Sequence, residues 1–439
     1  MQFIFNEKDS HVSWDYIKNS AHQLSHIALN LQKIATQTSY DIPESCINVP
    51  FDPDLIAEVE ELYKKIDVSS LKYVFLIGIG GSNLGTQAVY SALQGHTDIL
   101  FPDRFPKIIF LDTTNPSFAH SLISFIETQI NDPNEFLINL VTKSGTTLEA
   151  IANFEFLFTT LSKKFDSFAH RIVVTTDKKS TLWQQTQEKK ISCLSIPKAV
   201  GGRFSVFSAV GLFPLAITGI NIQAFLGGAQ SMRSRCLGTD ISQNPAMLSA
   251  AILCAHIQNK KHIYNSFFFV PELESLDKWY RQLIGESIGK QYDEDGKEIR
   301  IGITPTISIG STDLHSVAQL YLGGPRDTYT SFVTSKNIQN DTRIPNTLYF
   351  PPLVENIEGK SFFEILNAIF YSVKVAYKNQ KLPFTEIILP DISPYSIGQY
   401  MQHKIMEVIF LGELLNINTF NQPNVELYKV ETKKRLKLS

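Results

Sequence analysis

The chain has 439 residues, of which 43% are hydrophobic and 19% charged. That length and composition suit two sizeable α/β domains and exclude a disordered, highly charged segment. Forty basic against forty-three acidic side chains leave a formal net charge of −3, too balanced to point to a nucleic-acid partner.

Cys46, Cys193, Cys236 and Cys254 lie far apart with no C-x-x-C pair, as expected of a protein kept in a reducing cytoplasm. The opening MQFIFNEKDS lacks the apolar core of a secretory signal. The most apolar stretch, 204–220, is broken by Gly211, Pro214 and Gly219, so a buried helix is expected there and no membrane span.

In chain order, residues 1–50 read as an N-terminal helical extension. Short β-branched runs at 72–78, 107–112, 136–142 and 171–176 then alternate with segments of helical period, which predicts a doubly wound parallel sheet over 51–200. The pattern repeats over 201–392, with strands at 263–270, 328–334 and 385–390 and helices near 273–284, 313–321 and 362–378. From Ser393 to residue 439 two helices are expected, joined by NINTFNQP. The predicted fold class is therefore α/β, with two doubly wound parallel-sheet domains, an N-terminal helical extension and C-terminal helices.

Six segments carry candidate chemistry. GIGGSNLG (78–85) joins a buried strand to a helix, where backbone N–H groups and a helix N-terminus bind anions. A dinucleotide fingerprint fails there at Asn83 and a P-loop fails at Thr86, although Asp112 at the next strand end suits a ribose. TKSGTTLE (142–149) packs four hydroxyls and a lysine into six residues, and Thr146 and Glu149 have the spacing of a capping box. Neighbouring parallel strands end at one crevice, so Ser82 and this hydroxyl cluster are placed to bind one phosphate monoester.

VGGRFS (200–205) sets an arginine at the mouth of an apolar helix, where it needs an anionic partner. GESIGK (285–290) places a glutamate at a helix end, four residues after Gln282. STDLHS (311–316) puts a histidine in the first turn of an expected helix, capped by Ser311 or Thr312. NQPNVELYK (421–429) is a turn running into the terminal helix. Each of these four alone is explained as well by an ion pair, a solvated charge or a packed side chain. His22 and His26 have i,i+4 spacing, but HQLSH lacks the glutamate of a zinc protease helix and reads as ordinary helix surface.

Together and in this order, the six segments resemble the phosphoglucose isomerase family in its shorter bacterial form, over about residues 75 to 430. The resemblance implies two sugar-isomerase (SIS) domains and interconversion of glucose 6-phosphate and fructose 6-phosphate, with no cofactor and no metal. It assigns Glu286 as the catalytic base and Arg203 as the group that stabilises the intermediate. His315 and Lys429 become the pair for ring opening. The substrate-binding set it implies is Gly81, Ser82, Thr142, Lys143, Ser144, Thr147, Gly202, Gln282 and Gln422. It further implies a homodimer in which the histidine crosses the interface.

The chemistry accounts for these residue types. Moving a proton between C2 and C1 on one face of a cis-enediol needs a single carboxylate, and the developing oxyanion needs a preorganised cation that keeps its own proton. Thr142 stands where the family commonly has serine, and keeps the hydroxyl. The segment 291–298 is longer and more acidic than expected, reads as a solvated loop, and follows Glu286 closely enough to alter the active-site rim. Two readings compete with the isomerase. One is a nicotinamide-dependent dehydrogenase using Gly78 to Gly85 and Asp112. The other is a sugar-phosphate sensor without catalysis, which the joint presence of Glu286, Arg203, His315 and Lys429 disfavours.

Overall fold

The computed structural model describes residues 2–338, 341–351 and 353–438. Strand β1 (Ile4–Asn6) precedes a 22-residue helix, Trp14–Ala35, whose N-cap Ser13 accepts a hydrogen bond from the Tyr16 amide. Ile17, Leu24, Ala28, Leu31 and Ile34 form the buried stripe of this helix. His22 and His26 stay exposed. A 3-10 helix, Pro43–Phe51, completes the N-terminal extension, which strand β1 keeps from being purely helical.

The first sheet comprises β2 (Tyr73–Ile77), β3 (Lys107–Leu111), β4 (Phe136–Val141), β5 (Ile172–Thr176) and β6 (Ser192–Ser195). All are parallel, in the order β3-β2-β4-β5-β6. Both faces are covered: Val74 and Leu76 of β2 enter the main core, while Phe75 and Ile77 enter a second cluster on the opposite face. After β2 the chain turns to one side of the sheet, and after β4 to the other. The carboxyl ends of β2 and β4 therefore flank a topological switch point, where open α/β sheets bind ligands.

The second half repeats this path. Its strands are β7 (Ile263–Phe268), a hairpin of β8 (Lys290–Tyr292) and β9 (Glu298–Ile301), then β10 (Thr304–Ile309), β11 (Thr328–Ser335) and β12 (Phe384–Leu389). β10, β7, β11 and β12 are parallel neighbours in that order, and β1 closes the edge antiparallel to β12. The doubly wound architecture expected for both halves is present. Strands β1, β6 and β10 and the hairpin were not anticipated.

One hydrophobic core joins the halves, drawing side chains from β2, β7, β11 and β12 and from the helices between them. Its axis is the helix Pro394–Leu414, buried continuously from Ser396 to Gly412. The helix Glu274–Ile288 packs against it, against the helix Leu84–Leu93 and against β10. Leu276, Trp279, Tyr280, Leu283, Ile284 and Ile288 supply the buried face of that helix. Its last two turns, carrying Gln282 and Glu286, are thereby fixed beside the loop after β2. Among the described residues, no helix is long and apolar enough to cross a membrane.

Candidate active site

The glycine-rich loop after β2 and the segment around Gly202 meet backbone to backbone. A Cβ on Gly81 would lie 2.1 Å from the Gly202 carbonyl carbon and 2.6 Å from the Arg203 nitrogen, a space open only to glycine. Gly80 has φ +58°, the left-handed turn that brings the loop round to Gln282. Two segments about 120 residues apart in the chain are in this way held at one crevice.

The hydroxyl cluster forms at the end of β4. Thr142 and Thr147 share a hydrogen bond at 2.9 Å, and the Ser144 hydroxyl lies 3.5 Å from that of Thr147. The expected capping box of Thr146 and Glu149 is absent. Thr147 is the N-cap of the helix Leu148–Ser162 and makes no capping bond, because its hydroxyl is engaged with Thr142. The N–H groups of the first turn remain available to an anion. Ser82 is half-buried just before the helix Leu84–Leu93. Lys143 does not stand free: its Nζ donates to the Val200 carbonyl at 2.8 Å, tying the hydroxyl loop to the Gly202 segment, and burial lowers its pKa.

Arg203 is the hub. It is 3% exposed, and each edge of its guanidinium is occupied. Nε donates to the Ser287 hydroxyl at 2.8 Å, and one terminal nitrogen to Gln422 Oε1 at 2.9 Å and Glu286 Oε2 at 3.3 Å. The other terminal nitrogen donates to the carbonyls of Thr419 and Asn421. Burial lowers the guanidinium pKa while Glu286 opposes that shift. Glu286 Oε1 accepts from Gln282 Nε2 at 3.2 Å, the i,i+4 geometry of one helix face. Both carboxylate oxygens are thus oriented, yet the side chain keeps 34% exposure toward the crevice.

Lys429 lies on the helix Glu426–Leu438 and pairs with Glu426 at 2.7 Å. That bond raises its pKa, and the charge of Glu286 adds to the shift. His315 is not brought to this cluster. It is exposed in a 3-10 turn, Thr312–His315, ahead of the helix Ala318–Gly323, and neither Ser311 nor Thr312 caps that turn. Among the described residues, no hydrogen bond or ion pair links it to Glu286, Arg203 or Lys429.

Two site residues escaped the sequence reading. Ser287 is fully buried and orients Arg203. Lys290 is 7% exposed and donates to the carbonyls of Glu286, at 2.8 Å, and of Asn421. Burial, with the charge of Arg203, pushes its pKa down to about 8.

Two doubly wound sheets, with a hydroxyl-lined switch point facing an arginine-held carboxylate, define an α/β protein with an anion-binding crevice beside a carboxylate. The family model described as phosphoglucose isomerase matches residues 54–437, and the chain belongs to that family. It is 34% identical over 393 residues to a glucose-6-phosphate isomerase of Carboxydothermus hydrogenoformans, covering 88% of this chain and 83% of that relative. It is also 34% identical over 367 residues to the glucose-6-phosphate isomerase of Methanocaldococcus jannaschii, covering 84% of this chain and 85% of that relative. A solved structure of a hypothetical protein from Thermus thermophilus superposes with a TM-score of 0.88 at 29% identity, covering 99% of this chain and 100% of that one. A glucose-6-phosphate isomerase structure from Chlamydia trachomatis shares the fold, with a TM-score of 0.83 at 20% identity over 99% of this chain and 88% of that one.

Proposed function

We propose that the chain interconverts D-glucose 6-phosphate and D-fructose 6-phosphate through a cis-enediolate, with Glu286 as the base. The aldose–ketose isomerase activity follows from family membership and from relatives at 34% identity. The residue roles rest on the geometry, and one observation carries them: the partly open Glu286 carboxylate is aimed by Gln282 and Arg203 at the crevice where the hydroxyl loops meet.

In this reading Ser82, Thr142, Ser144 and Thr147, with the backbone around Gly81 and Gly202, hold the phosphate. Glu286 takes the C2 proton of the open-chain aldose and returns it to C1. The C2–H pair forms the C1=C2 bond as the carbonyl π pair moves to O1, giving an enediolate oxyanion beside Arg203; the C2 hydroxyl proton then passes to O1, and formation of C2=O sends the C1=C2 pair to the proton that Glu286 returns at C1. A general base typically contributes about 10² to 10⁴-fold, and a preorganised oxyanion donor about 10² to 10³-fold. Ring opening falls to Lys429 and to His315 of the partner subunit, in a homodimer. The dimer is supported by the distribution of partners in one chain: Lys429 feels the charge of Glu286, whereas among the described residues no hydrogen bond or ion pair joins His315 to the site.

The test is turnover of fructose 6-phosphate in excess chelator, read through a coupled dehydrogenase. No turnover would sink the isomerase reading. Glu286→Gln should retain substrate binding and stop exchange of the C2 proton with solvent. Exchange at the wild-type rate would remove Glu286 from the base role.

A further inference from the structure

The acidic segment 291–298, expected to be a solvated loop, is a structured hairpin fastened to the C-terminal loop. Asp293 closes its turn by accepting from the amides of Asp295 and Lys297, at 3.1 and 2.8 Å. Gly296 supplies the positive φ of +80° that the turn requires. Three further bonds reach outward. The Glu294 amide donates to the Asn416 carbonyl at 2.9 Å, Asn416 Nδ2 donates to Asp295 at 2.7 Å, and Asn424 Nδ2 donates to Gln291 at 3.0 Å. Lys290, at the root of the hairpin, adds the bond to the Asn421 carbonyl.

The segment gripped in this way, 416–424, contains Gln422 and both carbonyls that hold Arg203. We propose that Lys290 is a positioning residue, and that its hairpin braces this loop against the Glu286 helix so that Arg203 and Gln422 stay in register with the carboxylate. The proposal rests on the isomerase reading for its catalytic consequence, but not for the brace itself. Lys290 is held at the end of the Glu286 helix against a desolvation cost. Its ammonium is nearly buried with main-chain carbonyls as hydrogen-bond partners, a costly placement that a neutral side chain would avoid. The charged groups acting on it are Arg203 from the Gly202 segment and Glu286 from its own helix, while Asp293 and Glu294 line the groove beside it.

Lys290→Met, Lys290→Arg, Asn416→Ala and Asn424→Ala test the brace. Misplacing a catalytic group by about 1 Å costs up to roughly 10²-fold in rate, so Lys290→Met should lower kcat by about tenfold or more with KM changed far less. Lys290→Arg should recover part of that loss. In the wild type kcat should fall as pH rises through about 8, where Lys290 loses its proton. That alkaline limb should vanish in Lys290→Met and move upward in Lys290→Arg. Hydrogen exchange should become faster across 416–424 in Lys290→Met and in both asparagine variants, which keep the proposal testable if the lysine variant does not fold. Wild-type kcat and pH profile in folded Lys290→Met, or unchanged exchange across 416–424 in the variants, overturns the proposal. A wild-type protein without turnover would overturn the isomerase reading alone, because the exchange comparison still decides the brace.

Discussion

Gly81→Ala isolates the backbone contact on which the site depends. The added Cβ would sit 2.1 Å from the Gly202 carbonyl carbon, 2.4 Å from its oxygen and 2.6 Å from the Arg203 nitrogen. Backbone atoms cannot swing aside as a side chain can, so the two loops must separate by about 1.3 Å to restore van der Waals contact. The displacement acts at the root of Arg203, whose guanidinium stands 3.3 Å from Glu286. Overpacking of this size costs about 1 to 3 kcal/mol of stability, and a shift of about 1 Å in a catalytic group costs on the order of 10²-fold in rate. In the coupled assay kcat should therefore drop far more than a small fall in melting temperature would suggest. Gly201→Ala is the comparison, since its Cβ meets nothing nearer than Phe204 Cδ2 at 3.4 Å. Gly81→Ala turning over within about threefold of Gly201→Ala would refute the claim that this contact sets the position of Arg203.

The remaining predictions concern stability. Lys404 and Glu407 form a fully buried pair, with Nζ 3.1 Å from both carboxylate oxygens and the Tyr264, Tyr280 and Ser249 hydroxyls completing the network. Lys404→Met should cost about 3 to 5 kcal/mol by stranding Glu407, and adding Glu407→Leu should recover part of it. Additive losses in chemical denaturation would contradict that coupling. Two buried groups should oppose each other in pH dependence. His256 is pushed down to about 4 by burial, so it stays neutral in the fold while the unfolded chain binds a proton, and stability from this group rises between about pH 4 and 6.5. Asp277 is pushed up to about 7 by burial, so the fold keeps a proton that the unfolded chain loses, and its contribution falls from about pH 4 to 7. Asp277→Asn should leave a net rise of about 3 kcal/mol over pH 4 to 6.5 that the wild type lacks. Equal slopes in the two proteins would refute the assignment.

The central strands were legible because both of their faces are covered. All six residues of β4 are buried, so FLINLV reads as an apolar run interrupted only by Asn139. The missed strands β6 and β10 are edge strands: SCLS is short and half-polar, and TPTISI carries a proline that only an edge tolerates. β1 was hidden for a different reason. Its partner β12 lies some 380 residues away, and three residues of sequence carry no sign of it. In the site, Arg203, Glu286 and Gln282 were legible through motif order, and the structure brings them into contact. Lys290 was quoted within its motif without a role, because its partners are main-chain carbonyls that leave no trace in side-chain pattern.

The same carbonyls explain why total charge says little about this site. Apart from its long contact with Glu286, Arg203 is held by neutral oxygens, and the hydrogen bonds of Lys290 go to neutral carbonyls. A carbonyl satisfies a buried N–H without cancelling its charge, so Arg203 and Lys290 keep their positive field beside the Glu286 carboxylate. Lys429 adds a third cation at the rim, largely offset by Glu426. A phosphate ester and an enediolate oxyanion are both favoured by such a local excess of positive charge, in surroundings where water screens it weakly. Replacing the carbonyl partners by carboxylates would hold the cations as firmly and remove the field. A chain with net charge −3 can therefore concentrate positive potential at one crevice, provided its own backbone supplies the counter-dipoles.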